Sequence, residues 1–258
     1  MGKFEGYLIC ADIDGTFRMG DSVSENKKAV QYFMEHGGAF TFATGRSVAH
    51  LREEGLLDCM NAPACLCNGG IVYDYEKEKV LREERLPFSL GEFLEEIRKS
   101  KSEIQAMILF HSCEEESIVI ANAAEAPNQL LSQKMIKIVC VFETAKEADA
   151  LKERIKEIPF FDDCSVLKSW PVGVEFNSIH ATKGDGLEFL KQHLRGIHTT
   201  IGVGDYENDL PLLTHADIGA APENAIDSIK KIAKVFLKSA DQCAIKELIE
   251  RLEKRIEK

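Results

Sequence analysis

Short apolar segments alternate with amphipathic segments at both ends of the chain. Residues 7–11 form a continuous apolar run that is too short for a helix and typical of a strand buried on both faces. Similar runs at 39–43, 64–67 and 200–203 predict further strands, and the segments between them have helical spacing, with Ser24 expected to cap the first helix. This alternation predicts an α/β fold with a doubly wound parallel sheet.

The middle of the chain follows another pattern. A hairpin-like passage after Tyr73 leads to a predicted helix at 89–99, and strands and one more helix continue to about Phe176. A segment of about a hundred residues is near the usual size of a domain with its own core. We therefore expect a discontinuous catalytic core, residues 1–80 and 181–258, with an inserted α+β cap domain, residues 81–180.

Composition and charge narrow the possible partners. The 258 residues are 45% hydrophobic and 29% charged, which is typical of a globular chain, and the net charge is −11. An acidic protein without a Lys/Arg-rich block does not suit nucleic acid or an anionic membrane surface. No apolar run approaches the ~18 residues of a membrane span. We expect a small-molecule partner, no nucleic acid, no membrane, and either a monomer or a homodimer.

Eight cysteines indicate a reducing compartment. The N-terminal residues lack the apolar core of a signal peptide, and there is no CxxC pair. Cys65 and Cys67 lie in a predicted buried strand, which favours structural thiols over a zinc site. A cytoplasmic location is the expectation.

The segment Asp12-Ile13-Asp14-Gly15-Thr16 directly follows the first predicted strand. The carboxyl ends of parallel strands form the ligand crevice, so both carboxylates should emerge there. Two acids at one place repel each other unless a cation or a shared proton compensates. The alternative interpretation is a turn whose aspartates cap a helix.

Three other junctions carry polar groups of matching chemistry. Thr44 and Gly45 end the second strand, and Lys183 stands in Thr182-Lys183-Gly184-Asp185-Gly186, at the start of a predicted helix. Asp205 ends the strand at 200–204, and two more polar residues follow within one turn: Asn208 and Asp209. Each signal is weak alone, but together they predict one magnesium-phosphate site, because oxygen-only ligands favour Mg²⁺ over zinc.

This set of motifs resembles the haloacid dehalogenase-like (HAD) superfamily, and within it the Cof-type (subfamily IIB) sugar-phosphate phosphatases. The matching motifs are DxDGT at 12–16, ATGR at 43–46, NGG at 68–70, KGDG at 183–186 and GDxxND at 204–209. The resemblance implies a doubly wound core with a cap. It also implies a Mg²⁺-dependent phosphatase that hydrolyses a small phosphorylated metabolite, most readily a sugar phosphate, through an aspartyl-phosphate.

The resemblance also implies roles for individual residues. Asp12 would be the nucleophile and Asp14 the general acid, while Thr44 and Lys183 hold the phosphoryl group. The metal would be bound by Asp12, the main-chain carbonyl of Asp14 and Asp205, with support from Asp209. Further substrate contacts are expected from three loop positions and one helix start: Gly15, Gly45, Arg46 and Asn208.

Two arginines remain open to two interpretations. Arg46 is either a loop anchor or a substrate ligand, and Arg18 either a solvated residue or a contact for an anionic substrate. Asp14 has to carry a proton part of the time, so we expect its pKa to be raised. Its presence favours phosphoryl transfer over dehalogenation, because a halide leaves without protonation.

Other functions share this core. A phosphomutase would return the phosphoryl group to another oxygen of the substrate. A regulatory phospho-acceptor would also use an aspartate, Mg²⁺, a threonine and a lysine, but it would have neither a large cap nor an acid at position 14. The insertion of the cap between Thr44 and Lys183 is the arrangement that accompanies small phosphorylated metabolites in the family that the motifs resemble.

Overall fold

The computed structural model describes residues 2–256, which contain thirteen strands and eight α helices. The helices are α1 (Val23–Glu35), α2 (Val48–Glu53), α3 (Leu90–Lys99), α4 (Ala145–Ile155), α5 (Lys183–His193), α6 (Leu210–His215), α7 (Asp227–Ile232) and α8 (Ala244–Ile256). The strands are β1 (Tyr7–Ala11), β2 (Ala39–Phe42), β3 (Ala64–Leu66), β4 (Ile71–Asp74), β5 (Lys79–Glu83), β6 (Ala106–Phe110), β7 (Ile118–Ile120), β8 (Lys137–Val141), β9 (Cys164–Leu167), β10 (Gly173–Ser178), β11 (Thr199–Val203), β12 (Ile218–Pro222) and β13 (Val235–Leu237).

A five-stranded parallel sheet in the order β13-β12-β11-β1-β2 forms the centre of the core. Strand β1, which lies between β11 and β2, is buried from Leu8 to Ala11, as the continuous apolar run predicts. The predicted α/β fold with a parallel sheet is confirmed. The short edge strand β13 was not predicted, since only three residues pair and Phe236 is 57% exposed.

Helix α1 begins two residues earlier than expected. The Ser22 carbonyl accepts the first helical hydrogen bond from the Asn26 N–H at 3.1 Å, so Ser24 lies inside the first turn and is not the cap. The Ser22 hydroxyl accepts a bond from the Met19 N–H, which closes the preceding loop. The prediction of Ser24 as the cap was wrong because loop hydrogen bonding sets this boundary.

The third predicted strand lies mainly outside the parallel sheet. Strand β3 pairs antiparallel with β4, and β4 pairs antiparallel with β5, in a separate three-stranded sheet. A single parallel bridge between Ala43 and Cys65 connects β3 to the end of β2. The alternation of strands and helices therefore predicted correctly that β3 runs parallel to β2. It did not predict that β4 pairs with the other edge of β3.

Residues 106–178 contain a five-stranded antiparallel sheet in the order β7-β6-β8-β10-β9. Two helices accompany this sheet, α3 before it in the chain and α4 within it, and a capping box starts each: Ser89 and Glu92 on α3, Thr144 and Glu147 on α4. Its core is rich in packed phenylalanines, including Phe93, Phe161 and Phe176. We keep residues 81–180 as the proposed cap; β5 spans the proposed boundary, because its residues pair with β4.

The proposed cap packs closely on the parallel sheet. Phe110, Ile136 and Val139 of the cap belong to the same buried hydrophobic cluster as Ala11 and Phe42 of the parallel sheet.

All eight cysteines are free thiols, and Cys65 and Cys67 are buried. No helix within residues 2–256 combines the length and the apolar character needed to cross a bilayer.

Candidate active site

Asp12 and Lys183 meet at the carboxyl end of the parallel sheet. Asp12 directly follows β1, and Lys183 is the first residue of α5, whose start is capped by Thr182 and Asp185. The Lys183 ammonium donates bonds of 2.7 Å to Asp12 Oδ1 and 2.6 Å to Asp209 Oδ1. Lys183 and Asp209 have no exposed surface, so this charge cluster is almost fully removed from solvent.

A third carboxylate completes the cluster. Oxygen atoms of Asp12, Asp205 and Asp209 lie within 4.8 Å of one another. Burial, together with the neighbouring carboxylates, raises the pKa of Asp12 well above its usual range and that of Asp205 to about 7. Burial lowers the pKa of Lys183, but Asp12 and Asp209 more than compensate, so its pKa is raised and the ammonium keeps its charge. One ammonium group thus faces three carboxylates.

This donor set fits a hard divalent cation. Two buried carboxylates, Asp12 and Asp209, and the partly buried Asp205 carry excess negative charge beside one lysine, and binding of a cation would neutralise it. Their ligand atoms are all oxygens, which favours Mg²⁺ over softer transition metals. Thr16 also orients the site, because its hydroxyl donates a 2.7 Å bond to Asp205 Oδ1.

Gly15 lets the loop after β1 approach Asp205. Its φ of +77° lies in the left-handed region, and a Cβ atom there would lie 2.4 Å from Asp205 Oδ2. A side chain at position 15 would therefore displace the carboxylate. Asn224 fixes the same loop from the other side by donating a 2.8 Å bond to the Gly15 carbonyl.

Asp14 is held outside the carboxylate cluster by two arginines. Its side chain is 60% exposed, and it lies 2.7 Å from Arg18 Nη2 and 2.6 Å from Arg46 Nη2. Both arginines also bond Glu54, which closes a ring of two cations and two anions. The ring shows that Arg46 and Arg18 anchor loops in this structure; Glu54 was missed because no motif contains it.

The expected rise in the pKa of Asp14 was wrong. Partial burial raises the pKa of this carboxyl, but the hydrogen bonds and charges of Arg18 and Arg46 outweigh burial and hold it below the usual value. Both guanidinium groups favour the ionised form. The sequence did not reveal this, because Arg46 reaches Asp14 from the loop after another strand.

The loop after β2 places Thr44 beside the site. The Thr44 N–H donates to the Cys65 carbonyl at 2.9 Å, and the Thr44 carbonyl accepts from the Asn68 N–H at 3.0 Å. The backbone of this loop is therefore tied to the loop that follows β3. Asn208 contacts the same region, since its Nδ2 donates a 3.1 Å bond to Asn68 Oδ1.

A cavity of about 420 Å³ lies between the core and the cap. Volumes of this order accommodate small ligands. The core side of its lining contains most of the predicted site residues: Asp12, Asp14, Thr44, Gly45, Arg46, Asp205 and Asn208. The cap side is formed by Ile108, Phe110, Lys137, Val139, Ser169, Trp170 and Glu175.

Comparison with known proteins matches this architecture to a family. The sequence model of the haloacid dehalogenase-like hydrolase family matches residues 9–249 of this chain. The chain belongs to this family. The prediction of a Cof-type member of the HAD superfamily is confirmed, and the expected cofactor of such hydrolases is Mg²⁺.

Several relatives of this HAD hydrolase are named as phosphatases. The chain is 27% identical to a protein of Streptococcus pyogenes serotype M6 named as an inferred phosphatase, over 92% of this chain and 95% of that protein. It is also 27% identical to the phosphoglycolate phosphatase of Methanopyrus kandleri, over 89% and 90%. A solved subclass IIB sugar phosphatase has the same fold, with a TM-score of 0.73 and 20% identity over 95% and 98% of the two chains. The protein is a phosphatase.

Proposed function

We propose that this HAD phosphatase is a Mg²⁺-dependent enzyme that hydrolyses a small phosphorylated metabolite, of the sugar-phosphate class, through an aspartyl-phosphate on Asp12. The observation that carries the proposal is the contact of Lys183 with Asp12 and Asp209 beside Asp205. An ionised carboxylate needs no base to act as a nucleophile. Burial raises the pKa of Asp12, but the Lys183 ammonium favours its ionised form, and a bound cation would do so as well. The difficulty for this carboxylate is repulsion of the phosphate dianion.

Lys183 and a bound cation would remove that repulsion. Asp12, Asp205 and Asp209, with the Asp14 carbonyl, are the proposed ligands of Mg²⁺. When bound, the ion would neutralise charge on the phosphoryl oxygens. Lys183 already holds Asp12 Oδ1, and we assign it and the Thr44 hydroxyl to the transferring phosphoryl group, with Gly15, Gly45, Arg46 and Asn208 as further contacts.

The proposed chemistry has two balanced steps. A carboxylate oxygen of Asp12 forms a bond to phosphorus while the ester P–O bond breaks, and the leaving oxygen takes a proton from Asp14. Water then attacks phosphorus, gives a proton to Asp14 and releases phosphate, which restores the Asp12 carboxylate. Asp14 has to separate from Arg18 and Arg46 to carry this proton, because both arginines favour its charged form.

The cavity limits the substrate to a small molecule. Its volume of about 420 Å³ is bounded by the cap side chains Phe110 and Trp170, which would lie against the leaving group. Phosphate release from a panel of phosphorylated metabolites with Mg²⁺ tests the substrate class. We expect one or a few sugar phosphates to be hydrolysed best, and equal rates for all phosphomonoesters would contradict the proposal. Isomerisation of a hexose phosphate without phosphate release would indicate the phosphomutase instead.

The cellular context also remains a proposal. Eight free thiols agree with the reducing environment expected for a cytoplasmic enzyme. The acidic net charge of −11 supports a small-molecule partner over nucleic acid. We keep a monomer and a homodimer as the two proposed states, which sedimentation in solution would distinguish.

A further inference from the structure

The cap contributes a buried ion pair to the cavity. Lys137 on β8 and Glu175 on β10 are 2% and 0% exposed, and their charged groups lie 3.5 Å apart. Neither residue belongs to a motif. Burying two charges is costly unless further hydrogen bonds compensate, so the other partners of the pair are informative.

Lys137 bonds the core directly. Its ammonium donates a 2.6 Å hydrogen bond to the carbonyl of Gly45, in the loop that presents Thr44. The same ammonium lies 4.3 Å from the centre of the Phe110 ring, a favourable place for a cation. A cap side chain thus contacts the backbone of the proposed phosphate-binding loop.

The carbonyls of Thr44, Gly45 and Arg46 accept hydrogen bonds from different parts of the protein. The Thr44 carbonyl accepts from the Asn68 N–H at 3.0 Å, and the Arg46 carbonyl accepts from the Cys67 N–H at 2.9 Å. Both donors belong to the core. Of these three successive carbonyls, only that of Gly45 is held by the cap.

The bond to Gly45 has a consequence for Thr44. The Gly45 carbonyl and the Arg46 N–H belong to one planar peptide group, in which they point in opposite directions. The Arg46 N–H donates a 3.3 Å bond to Thr44 Oγ1. By fixing the plane of this peptide, Lys137 keeps the N–H directed at the Thr44 hydroxyl and leaves the hydroxyl proton available for another acceptor.

Glu175 makes a parallel connection to a second core loop. Its carboxylate accepts bonds from Asn68 Nδ2 and from the Ser169 hydroxyl. Asn68 Oδ1 in turn accepts from Asn208, which lines the cavity. The pair therefore contacts the loop after β2 and the loop after β3, and Glu175 supplies the counter-charge for Lys137.

We propose that Lys137 is a positioning residue that completes the phosphate-binding loop from the cap, with Glu175 as its counter-ion. The inference rests on the proposed function, in which Thr44 and Gly45 bind the phosphoryl group. Because the loop contacts the phosphoryl group and not the leaving group, losing Lys137 should affect all substrates by the same factor.

The test uses a double variant that keeps the interior neutral. Lys137→Met alone leaves Glu175 buried without a counter-charge and can fail to fold, so Lys137→Met is combined with Glu175→Gln. We expect kcat/KM to fall about tenfold for both p-nitrophenyl phosphate and the best metabolite of the panel. Inhibition by inorganic phosphate should weaken by a similar factor. The single variant Lys137→Arg, which keeps the positive charge, should retain most of the wild-type kcat/KM and most of the phosphate inhibition.

Lys168→Met is the matched control. Lys168 is a cap lysine that is 9% exposed and bonds Asp149 and the Pro171 carbonyl. The kcat/KM of the Lys168→Met variant should remain within about twofold of the wild-type value. A folded double variant with wild-type kcat/KM and phosphate inhibition would overturn the inference, and so would a loss confined to one substrate.

The same assays separate this inference from the proposed function. If the wild type is active with Mg²⁺ and Asp12→Asn is inactive, an unchanged double variant refutes only the role of Lys137. If the wild type releases no phosphate from any substrate of the panel, the proposed function is wrong and the inference is wrong with it.

Discussion

The ammonium of Lys183 lies 2.7 Å from Asp12 Oδ1, although 171 positions separate the two residues in sequence. Parallel topology produces this contact, because β1 ends where α5 begins. Both partners are buried, and Asp209 is bonded to the same ammonium. Removing the lysine would leave three carboxylates without a positive charge.

Lys183→Met is expected to lower the free energy of unfolding by about 3–5 kcal/mol, as the loss of one partner of a buried ion pair does. Denaturant titration measures this change. Lys156→Met is the control, since Lys156 is 64% exposed in a surface pair and its removal should cost less than about 1 kcal/mol. Equal losses for both variants would show that the buried cluster is not a linked unit.

Magnesium should stabilise the wild type against unfolding. Three carboxylates within 4.8 Å repel one another, and binding to the folded state adds about 2.7 kcal/mol at a concentration 100 times Kd. Thermal unfolding across a Mg²⁺ series measures the effect. Asp205→Asn should raise the Mg²⁺ concentration needed for the same stabilisation at least about tenfold. Asp58→Asn, at an exposed position, should leave that concentration unchanged. No Mg²⁺ effect on the wild type would contradict the proposed site.

Gly15→Ala should impair the metal site beyond its backbone cost. A Cβ atom there would lie 2.4 Å from Asp205 Oδ2, whereas at Gly196, with a similar φ of +83°, nothing lies within 4 Å. Both substitutions carry the cost of a positive φ, about 1–2 kcal/mol. Only Gly15→Ala should raise the Mg²⁺ concentration needed for half-maximal phosphate release. Equal shifts in the two variants would mean that Asp205 tolerates the clash.

Asp217 predicts a pH dependence of stability. Burial raises its pKa, but bonds from Thr200 and Lys191 outweigh this and hold the pKa below the usual value. A lowered pKa stabilises the folded state above the ordinary value of about 3.9, and the stabilisation is lost as pH falls through the folded pKa. Asp217→Asn should therefore cost about 1 kcal/mol at pH 7 and less below about pH 4.

The measurement for Asp217 is the free energy of unfolding at several pH values. Glu223→Gln is the control, because Glu223 is exposed. The free energy of unfolding of the Glu223→Gln variant should differ little from the wild-type value at every pH. A cost of Asp217→Asn that is constant across pH would show that the charge of Asp217 contributes nothing.

The sequence predicted most of the core site because its residues stand at strand ends. Asp12, Thr44 and Asp205 follow β1, β2 and β11, and the order of parallel strands brings such ends together. The buried run of β1 was predicted to the residue. The boundaries that failed, as at Ser24, depend on hydrogen bonds within loops.

The cap side of the cavity could not be predicted in this way. Lys137 and Glu175 read as interior strand residues, and their contacts with Gly45 and Asn68 arise only when two sheets dock. The contact of Asp14 with Arg46 also joins separate segments, the loops after β1 and β2, whereas Arg18 lies only four positions from Asp14. Contacts between distant segments leave no local pattern in the sequence.

The central claim is that Asp12 carries the phosphoryl group during hydrolysis, and Asp12→Asn tests it most directly. Phosphate release with Mg²⁺ is measured for the wild type and the variant on the best substrate of the panel, with a folded state confirmed by thermal unfolding. The account predicts that the variant loses at least about a thousandfold in kcat, because the amide cannot replace the nucleophile. A folded variant that retains more than about a tenth of the wild-type rate would contradict it.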